Sequence, residues 1–157
     1  MRDGYGKHGM LKQGLRNLVL TARALWTPVA FGVAGAVFDA GGRVLLVRQS
    51  YVPGWRLPAG GMSRGEVPEA VLRREMAEEV GLSGGSASLF GVYARRAGLA
   101  TNVIALYRME GGTVAFRPNL EVREIRFADP AAPPDGTTPA TRRRLAELLG
   151  GERSEVW

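Results

Sequence analysis

The sequence contains no cysteine among its 157 residues. That absence excludes disulfide bonds, zinc sites built from thiolates and catalysis by a cysteine nucleophile. Long hydrophobic runs are also lacking: the longest, Val29–Phe38, is too short to cross a membrane and is rich in strand-forming residues. The amino-terminal stretch lacks the uninterrupted apolar region of a secretory signal peptide, because Arg16 and Arg23 interrupt it. A cytoplasmic location is therefore expected.

Negative charge is the scarcer sign: 21 Lys and Arg face 15 Asp and Glu, which gives a net charge of +6. A basic surface attracts phosphorylated substrates, and it is equally compatible with contact to nucleic acid or an anionic membrane. A third interpretation attributes the arginine-rich composition to the base composition of the genome. With 45% hydrophobic residues, a chain of this length is expected to form one domain with a sizeable core.

Residues 60–82 combine a glycine turn with an acidic helix. The run Pro-Ala-Gly-Gly at residues 58–61 predicts a tight turn, which favours glycine. A helix is predicted from about residue 67 to residue 80. Pro68 suits its first turn, where the missing N–H is no loss, and Gly81 suits a left-handed cap after its end. Apolar positions that can hold this helix against a core are Ala70, Val71, Met76 and Val80.

Three carboxylates, Glu75, Glu78 and Glu79, project from one stripe of this helix, because successive helical residues are rotated by about 100°. Such a cluster repels itself unless a cation lies within it. Carboxylate oxygens with spare positions for water suit Mg²⁺, and Mn²⁺ equally. A solvated helix rich in glutamate and arginine is the alternative interpretation of the helix taken alone.

The complete spacing resembles the Nudix box: glycine, five residues, glutamate, seven residues, Arg-Glu, an aliphatic residue, any residue, Glu-Glu, any residue, glycine, and an aliphatic residue. The residues at these positions are Gly60, Glu66, Arg74, Glu75, Met76, Glu78, Glu79, Gly81 and Leu82. None of them departs from the pattern. A weaker likeness extends over about residues 29–149, and the amino-terminal segment lies outside it.

The resemblance implies an α/β/α sandwich with a mixed sheet. It also implies Mg²⁺-dependent hydrolysis, with Mn²⁺ possible, of the pyrophosphate linkage in a nucleoside diphosphate joined to another group. The isomerase branch that shares the box depends on a catalytic cysteine, so the absence of cysteine separates this chain from that branch. The alternative function is a non-catalytic module of the same fold that senses nucleotides or binds nucleic acid.

Site residues follow from matching this chain to the box position by position. The implied catalytic residues are Glu66, Arg74, Glu75, Glu78 and Glu79. The implied metal ligands are Glu75, Glu78, Glu79, the carbonyl of Ala59 and a later carboxylate, for which Glu121 is expected and Glu124 is the reserve. The motif glycines are Gly60, Gly61 and Gly81. Arg74 is expected to pair with Glu66, whereas the identity of the general base among the helix glutamates stays open.

The loop before the box provides the expected substrate-binding residues, Arg48, Tyr51, Trp55 and Arg56, although core packing is the alternative for Trp55. The features that mark ADP-ribose hydrolases and coenzyme A hydrolases are missing. Where enzymes acting on oxidised guanine nucleotides place a base-reading Asn, this chain has Thr137 or Thr138. A nucleoside triphosphate and a nucleotide sugar both remain candidate substrates.

Three parts of the chain are distinguished: residues 1–27, a domain at residues 28–150, and a tail at residues 151–157. Residues 10–26 predict a basic amphipathic helix that packs on its own domain, forms a homodimer contact, or lies on a membrane or nucleic acid. A loop is expected at residues 83–87, a turn at Gly111-Gly112, and a final helix from near Thr138 to about Leu149. Arg142, Arg143 and Arg144 are expected on its solvated face.

Overall fold

The computed structural model describes Leu18–Val19 and residues 29–157. Within the second range the chain forms seven strands and two helices. The strands are β1 (Val29–Phe38), β2 (Val44–Gln49), β3 (Trp55–Arg56), β4 (Ala59–Gly61), β5 (Leu82–Ala97), β6 (Ala100–Val114) and β7 (Val122–Ala128). The helices are α1 (Pro68–Val80) and α2 (Pro139–Leu148). The amphipathic segment at residues 10–26 lies outside the described residues, apart from that isolated pair.

The strands form one mixed sheet in the order β3-β2-β1-β6-β5, with β4 paired to β1 and β7 paired to β2. The β1–β6 pair is parallel, and the other pairs among these strands are antiparallel. Strand β1 is buried on both faces: Val33 and Val37 contact one core cluster, whereas Ala34 and Phe38 contact the other. This continuous apolar pattern is typical of a central strand covered on both sides.

One helix covers each face of the sheet. Helix α1 packs against one face through Val71, Leu72, Met76 and Val80, and Ala70 is exposed instead of contributing to the core. Helix α2 covers the other face through Leu145 and Leu148. The expected α/β/α arrangement is confirmed. No helix in residues 29–157 is long and apolar enough to cross a membrane.

The loop expected at residues 83–87 is wrong, because β5 is continuous from Leu82 to Ala97. The turn expected at Gly111-Gly112 is also wrong, since both residues lie within β6. Gly84, Gly85 and Gly111 have positive φ angles, and Gly84 pairs with Gly112 across the two strands. The glycines therefore allow irregular backbone inside a long hairpin without ending either strand.

The solvated face expected for the arginines of α2 is wrong for Arg144. Its side chain is 0% exposed, and its guanidinium lies 4.1 Å from the centre of the Tyr93 ring. A buried guanidinium is tolerated because it forms an ion pair with the buried carboxylate of Glu147, which also accepts a hydrogen bond from the Tyr93 hydroxyl.

Gly81 ends α1 with a φ of 67° and a ψ of 29°, as a left-handed cap requires. A side chain there would also collide with the carbonyl oxygen of Ala115. Gly65 has a φ of +83° with nothing near the position of a Cβ. A side chain at Gly65 would meet only the cost of the backbone conformation, whereas a side chain at Gly81 would meet that cost and the collision with Ala115.

We expect G65A to lower the free energy of unfolding by about 1–2 kcal/mol, the cost of a left-handed residue with a side chain. G81A should lower it clearly further, because its new methyl group also displaces the backbone at Ala115. Chemical denaturation of both variants beside the parent protein measures the difference. Equal losses for the two variants would show that the close approach at Gly81 relaxes without cost.

Candidate functional site

Helix α1 approaches β4 so closely that Glu75 fills the space of a missing side chain. A Cβ placed on Gly60 would overlap the carboxyl group of Glu75, whereas a Cβ on Gly61 would meet nothing. Both glycines belong to β4 and pair with β1, so the expected tight turn at these residues is a short strand instead. Glycine is required at position 60 by space and not by a positive φ.

Glu79 lies one turn further along α1 and is buried, with 2% exposure. Its Oε2 accepts a hydrogen bond from the backbone N–H of Ala59 at 3.1 Å, and its Oε1 lies 3.5 Å from the side-chain nitrogen of Gln49. Burial raises the pKa of Glu79 to about 7; the Ala59 N–H opposes the rise, and the charges of Glu75 and Glu121 add to it. The pKa of this carboxyl group therefore lies much closer to neutral pH than that of an exposed glutamate.

Arg74 occupies the centre of the acidic face. One guanidinium nitrogen donates to Glu75 at 2.7 Å and to Glu78 at 3.3 Å, and the second lies 3.4 Å from Glu66. The expected pair with Glu66 is present, although Glu75 is the nearest partner. Glu66 also accepts the backbone N–H of Ser63 at 2.6 Å, which fixes the loop before α1. The planar guanidinium, with several donors in a fixed arrangement, suits contact with three carboxylates at once.

The expected later carboxylate, Glu121, belongs to the loop before β7, and its charge adds to the rise in the pKa of Glu79. Its carbonyl accepts the backbone N–H of Ser50 at 2.9 Å. The side chain of Asn119 accepts the backbone N–H of Glu121 at 3.0 Å and donates to the carbonyl oxygen of Glu79 at 3.2 Å. Asn119 therefore ties the loop that carries Glu121 to the end of α1.

The loop residues expected to bind substrate divide into two groups. Tyr51 is 67% exposed and lies near the acidic residues: partial desolvation raises its pKa first, and the charges of Glu79 and Glu121 add to the rise. Arg48 instead pairs with Glu124 at 3.1 Å and stacks on Trp55, which is 1% exposed. Trp55 therefore belongs to the core. Glu124, the reserve choice for a metal ligand, is paired with Arg48.

The helix carboxylates do not converge as they stand: within the described residues no three acidic or histidine side chains form a group that would hold a metal ion. Arg74 holds Glu75 and Glu78, whereas Glu79 is turned towards Ala59. The donor set nevertheless fits a hard divalent cation, since Glu75 and Glu79 both lie against the backbone of Ala59 and Gly60. The Ala59 carbonyl shares their side of β4, because Gly60 is the residue hydrogen-bonded to β1.

A cavity of about 430 Å³ opens beside these residues on the α2 face of the sheet. Ala59, Gly60 and Gly61 form its border with the acidic residues, and Arg56 lines it as well. Small residues of β1, Ala30 and Gly32, make a flat floor. The remaining lining residues include Asn102 and Ile104 of β6, Arg95 of β5, Thr138 and Thr141 at the start of α2, and Trp157.

Three residues that contribute to this region were not identified from the sequence: Asn102, Asn119 and Trp157. The sequence could have indicated Asn102, because it lies two residues before Ile104 and four before Leu106 in β6. Residues two apart in a strand face the same side of the sheet. Asn119 and Trp157 owe their positions to contacts with distant parts of the chain, which no local pattern marks.

Comparison with known proteins gives concordant matches. The NUDIX domain model matches residues 27–149. A putative 8-oxo-dGTP diphosphatase of Bacillus subtilis (strain 168) is 27% identical over 127 residues, covering 81% of this chain and 83% of that protein. An RNA pyrophosphohydrolase of Gluconobacter oxydans (strain 621H) is 38% identical over 56 residues, which span 34% of this chain and 33% of that relative.

The fold is likewise similar to that of solved structures. The MutT NUDIX hydrolase from Burkholderia pseudomallei superimposes with a TM-score of 0.68 at 23% identity, covering 76% of this chain and 98% of that one. The box in the sequence, the sandwich around it and the family match over most of the chain agree, and the protein belongs to the Nudix hydrolase family.

Proposed function

We propose that the protein hydrolyses the pyrophosphate linkage of a nucleotide-type substrate: a nucleoside diphosphate joined to a further phosphate or another group. The observation that carries the proposal is the position of Glu79 and Glu75 on the backbone of Ala59 and Gly60, at the edge of the cavity. A reacting phosphate at this border would meet both carboxylates, with the rest of the substrate in the cavity.

Glu79 has the properties of a general base. Its pKa of about 7 lets it accept a proton from water near neutral pH. Oε2 is engaged by the Ala59 N–H, whereas the contact of Oε1 with Gln49 is long at 3.5 Å. Oε1 is therefore the oxygen available to take the proton. The Ala59 N–H holds the carboxyl group in one orientation, which positions that oxygen.

Nudix hydrolases generally use divalent metal cations. In this chain Glu75, Glu78, Glu79, Glu121 and the Ala59 carbonyl would hold one, and Mg²⁺ or Mn²⁺ suits these oxygen donors. Such a cation, when bound, neutralises phosphate charge and acidifies water. Arg74 balances the charges of Glu75 and Glu78, which reduces the repulsion between these two carboxylates.

The cavity supports a nucleotide as the substrate class. A flat floor of small residues suits a planar base, and the carboxamide of Asn102 can both donate and accept hydrogen bonds at its edge. Arg56 adds positive charge at the cavity, which favours phosphate. Of the two threonines, Thr138 lines the cavity, whereas Thr137 is buried and donates its hydroxyl to the carbonyl of Pro134 at 2.6 Å.

The names of the relatives differ in substrate, since one is called an 8-oxo-dGTP diphosphatase and the other an RNA pyrophosphohydrolase. Both names describe cleavage between phosphates of a nucleotide. We therefore extend to this chain the shared reaction and not either substrate. A panel of nucleoside triphosphates and nucleotide sugars with Mg²⁺, assayed for released phosphate products, identifies the preferred one.

Glu79→Gln tests the assignment of the site. The amide cannot take a proton and is a weak metal ligand, so Mg²⁺-dependent hydrolysis should fall by a factor of roughly 100 or more. Glu69→Gln is the matched control, because Glu69 lies on the same helix, is exposed, and pairs with Arg73. Full activity in the Glu79 variant, on a substrate that the parent cleaves, would refute the assignment.

The same variant has a signature in stability. The folded-state pKa of Glu79 is raised from 4.5 to about 7, so its ionisation in the folded protein costs free energy that grows as pH rises through that window. Glu79→Gln removes this cost. At pH 8 with a chelator present, we expect the variant to melt at or above the parent temperature, as measured by calorimetry. A lower melting temperature would indicate that the carboxylate stabilises the fold.

Gly60→Ala tests the close approach of α1 to β4. The new methyl group would overlap the end of a flexible glutamate side chain, so the Glu75 carboxyl group must move while the backbone stays. We expect kcat to fall at least roughly 10-fold, with little change in melting temperature. Gly61→Ala is the neighbouring control, since its methyl group meets nothing. Equal activity of the two variants would show that the position of Glu75 is unimportant.

A further inference from the structure

The carboxy-terminal residues are fixed along the outer edge of β5. The N–H of Ala94 donates to the carbonyl of Glu155 at 2.9 Å, and the N–H of Trp157 donates to the carbonyl of Ala94 at 3.1 Å. Two arginines of α2 complete the attachment: Arg144 donates to the carbonyl of Val156 at 2.8 Å, and Arg143 donates to the carbonyl oxygen of Trp157 at 3.1 Å. The backbone of Trp157 thus has a defined place in the fold.

A buried polar cluster supports the indole ring from behind. The rings of Tyr93 and Trp157 meet edge to face, with their centres 5.6 Å apart and an angle of 72° between their planes. The guanidinium of Arg144 lies 5.6 Å from the centre of the indole. Glu147 binds both Arg144 and the Tyr93 hydroxyl, so moving any member would leave a buried charge or hydroxyl without its partner. The indole is therefore held before any ligand arrives.

The remaining surface of the half-buried indole borders the cavity. The sheet register explains why. Gly32, Ile104 and Tyr93 lie in one row across β1, β6 and β5, and the neighbouring row contains Asn102. Trp157 contacts Tyr93 at the end of the first row. It therefore rises as a wall beside the flat floor at Gly32 and the carboxamide of Asn102.

We propose that Trp157 is a specificity-determining residue, which contacts the planar base of the substrate and favours substrates with a large aromatic base. The proposal rests on the proposed function, since it concerns the nucleotide of that reaction. An aromatic wall, a flat glycine floor and an adjacent carboxamide together suit a nucleobase better than a sugar, because a base offers a π-face for the indole and polar edges for Asn102. The reacting phosphates lie at the other end, near Ala59 and Gly60, so Trp157 acts on binding and not on bond cleavage.

Steady-state kinetics of the full chain test this assignment, with ATP, GTP, CTP, UTP, 8-oxo-dGTP and UDP-glucose as substrates. For the best substrate, W157A should raise KM roughly 10-fold with kcat within about 3-fold of the parent, because base–aromatic stacking contributes on this scale. The preference for purine over pyrimidine nucleotides should shrink. W157F should retain KM within about 3-fold, since it keeps an aromatic face. V156A is the control on the same tail, because the Val156 side chain is exposed and does not line this cavity.

An unchanged KM in W157A would overturn the proposal. An equal rise of KM in V156A and W157A, or a rise in W157A without change in purine preference, would also overturn it, since either result describes a purely structural tail. Melting temperatures identify unfolding of W157A, in which case W157L replaces it, because leucine keeps apolar volume without an aromatic face: a KM raised in W157L but not in W157F supports the proposal, and equal KM values in the two variants overturn it. If the parent hydrolyses none of the six substrates, the proposed function fails, and calorimetric binding of GMP with Mg²⁺ decides on Trp157. Binding weakened roughly 10-fold in W157A supports it, whereas equal binding, or no binding to the parent, refutes it.

Discussion

The contact between α1 and β4 places the carboxyl group of Glu75 in the space that a side chain at position 60 would occupy. Because position 60 is glycine, Glu75 rests directly on the strand backbone, and the next turn of the same helix brings Glu79 to the N–H of Ala59. Strand β4 has only three residues, so it cannot hold its own position. Its place is defined by pairing with β1 on one side and by the helix on the other. The border of the cavity depends on that contact.

Opposing electrostatic effects are balanced differently at the two ends of the acidic face. At Arg74 the charges are partly solvated, with 39% of the side chain exposed, so each ion pair there adds little to stability and serves mainly to orient its carboxylate. At Glu79 the side chain is excluded from water, and one backbone hydrogen bond does not compensate for burial. Burial therefore raises the pKa of Glu79 by more than the hydrogen bond from Ala59 lowers it, and the carboxyl group can exchange a proton near neutral pH.

Sequence reasoning succeeds where spacing along the chain is enough. The box predicts α1, its left-handed end at Gly81 and the pairing of Arg74 with Glu66, all of which are present. It fails where glycines interrupt a strand without ending it, because Gly84 and Gly112 resemble turn residues until their pairing across the hairpin is known. It also misses Asn119 and Trp157, whose contacts join parts of the chain far apart in sequence.

The mixed sheet has a consequence for the order of folding. The β5–β6 hairpin joins neighbouring residues around Gly98, whereas the parallel β1–β6 pair joins residues as distant as Val29 and Thr101. Local pairs close with little loss of chain entropy, and distant parallel pairs close slowly. The hairpin is therefore expected to form early, and β4 can settle only after β1 has joined it. The border of the cavity at Ala59 is therefore one of the last parts of the molecule to acquire its native form.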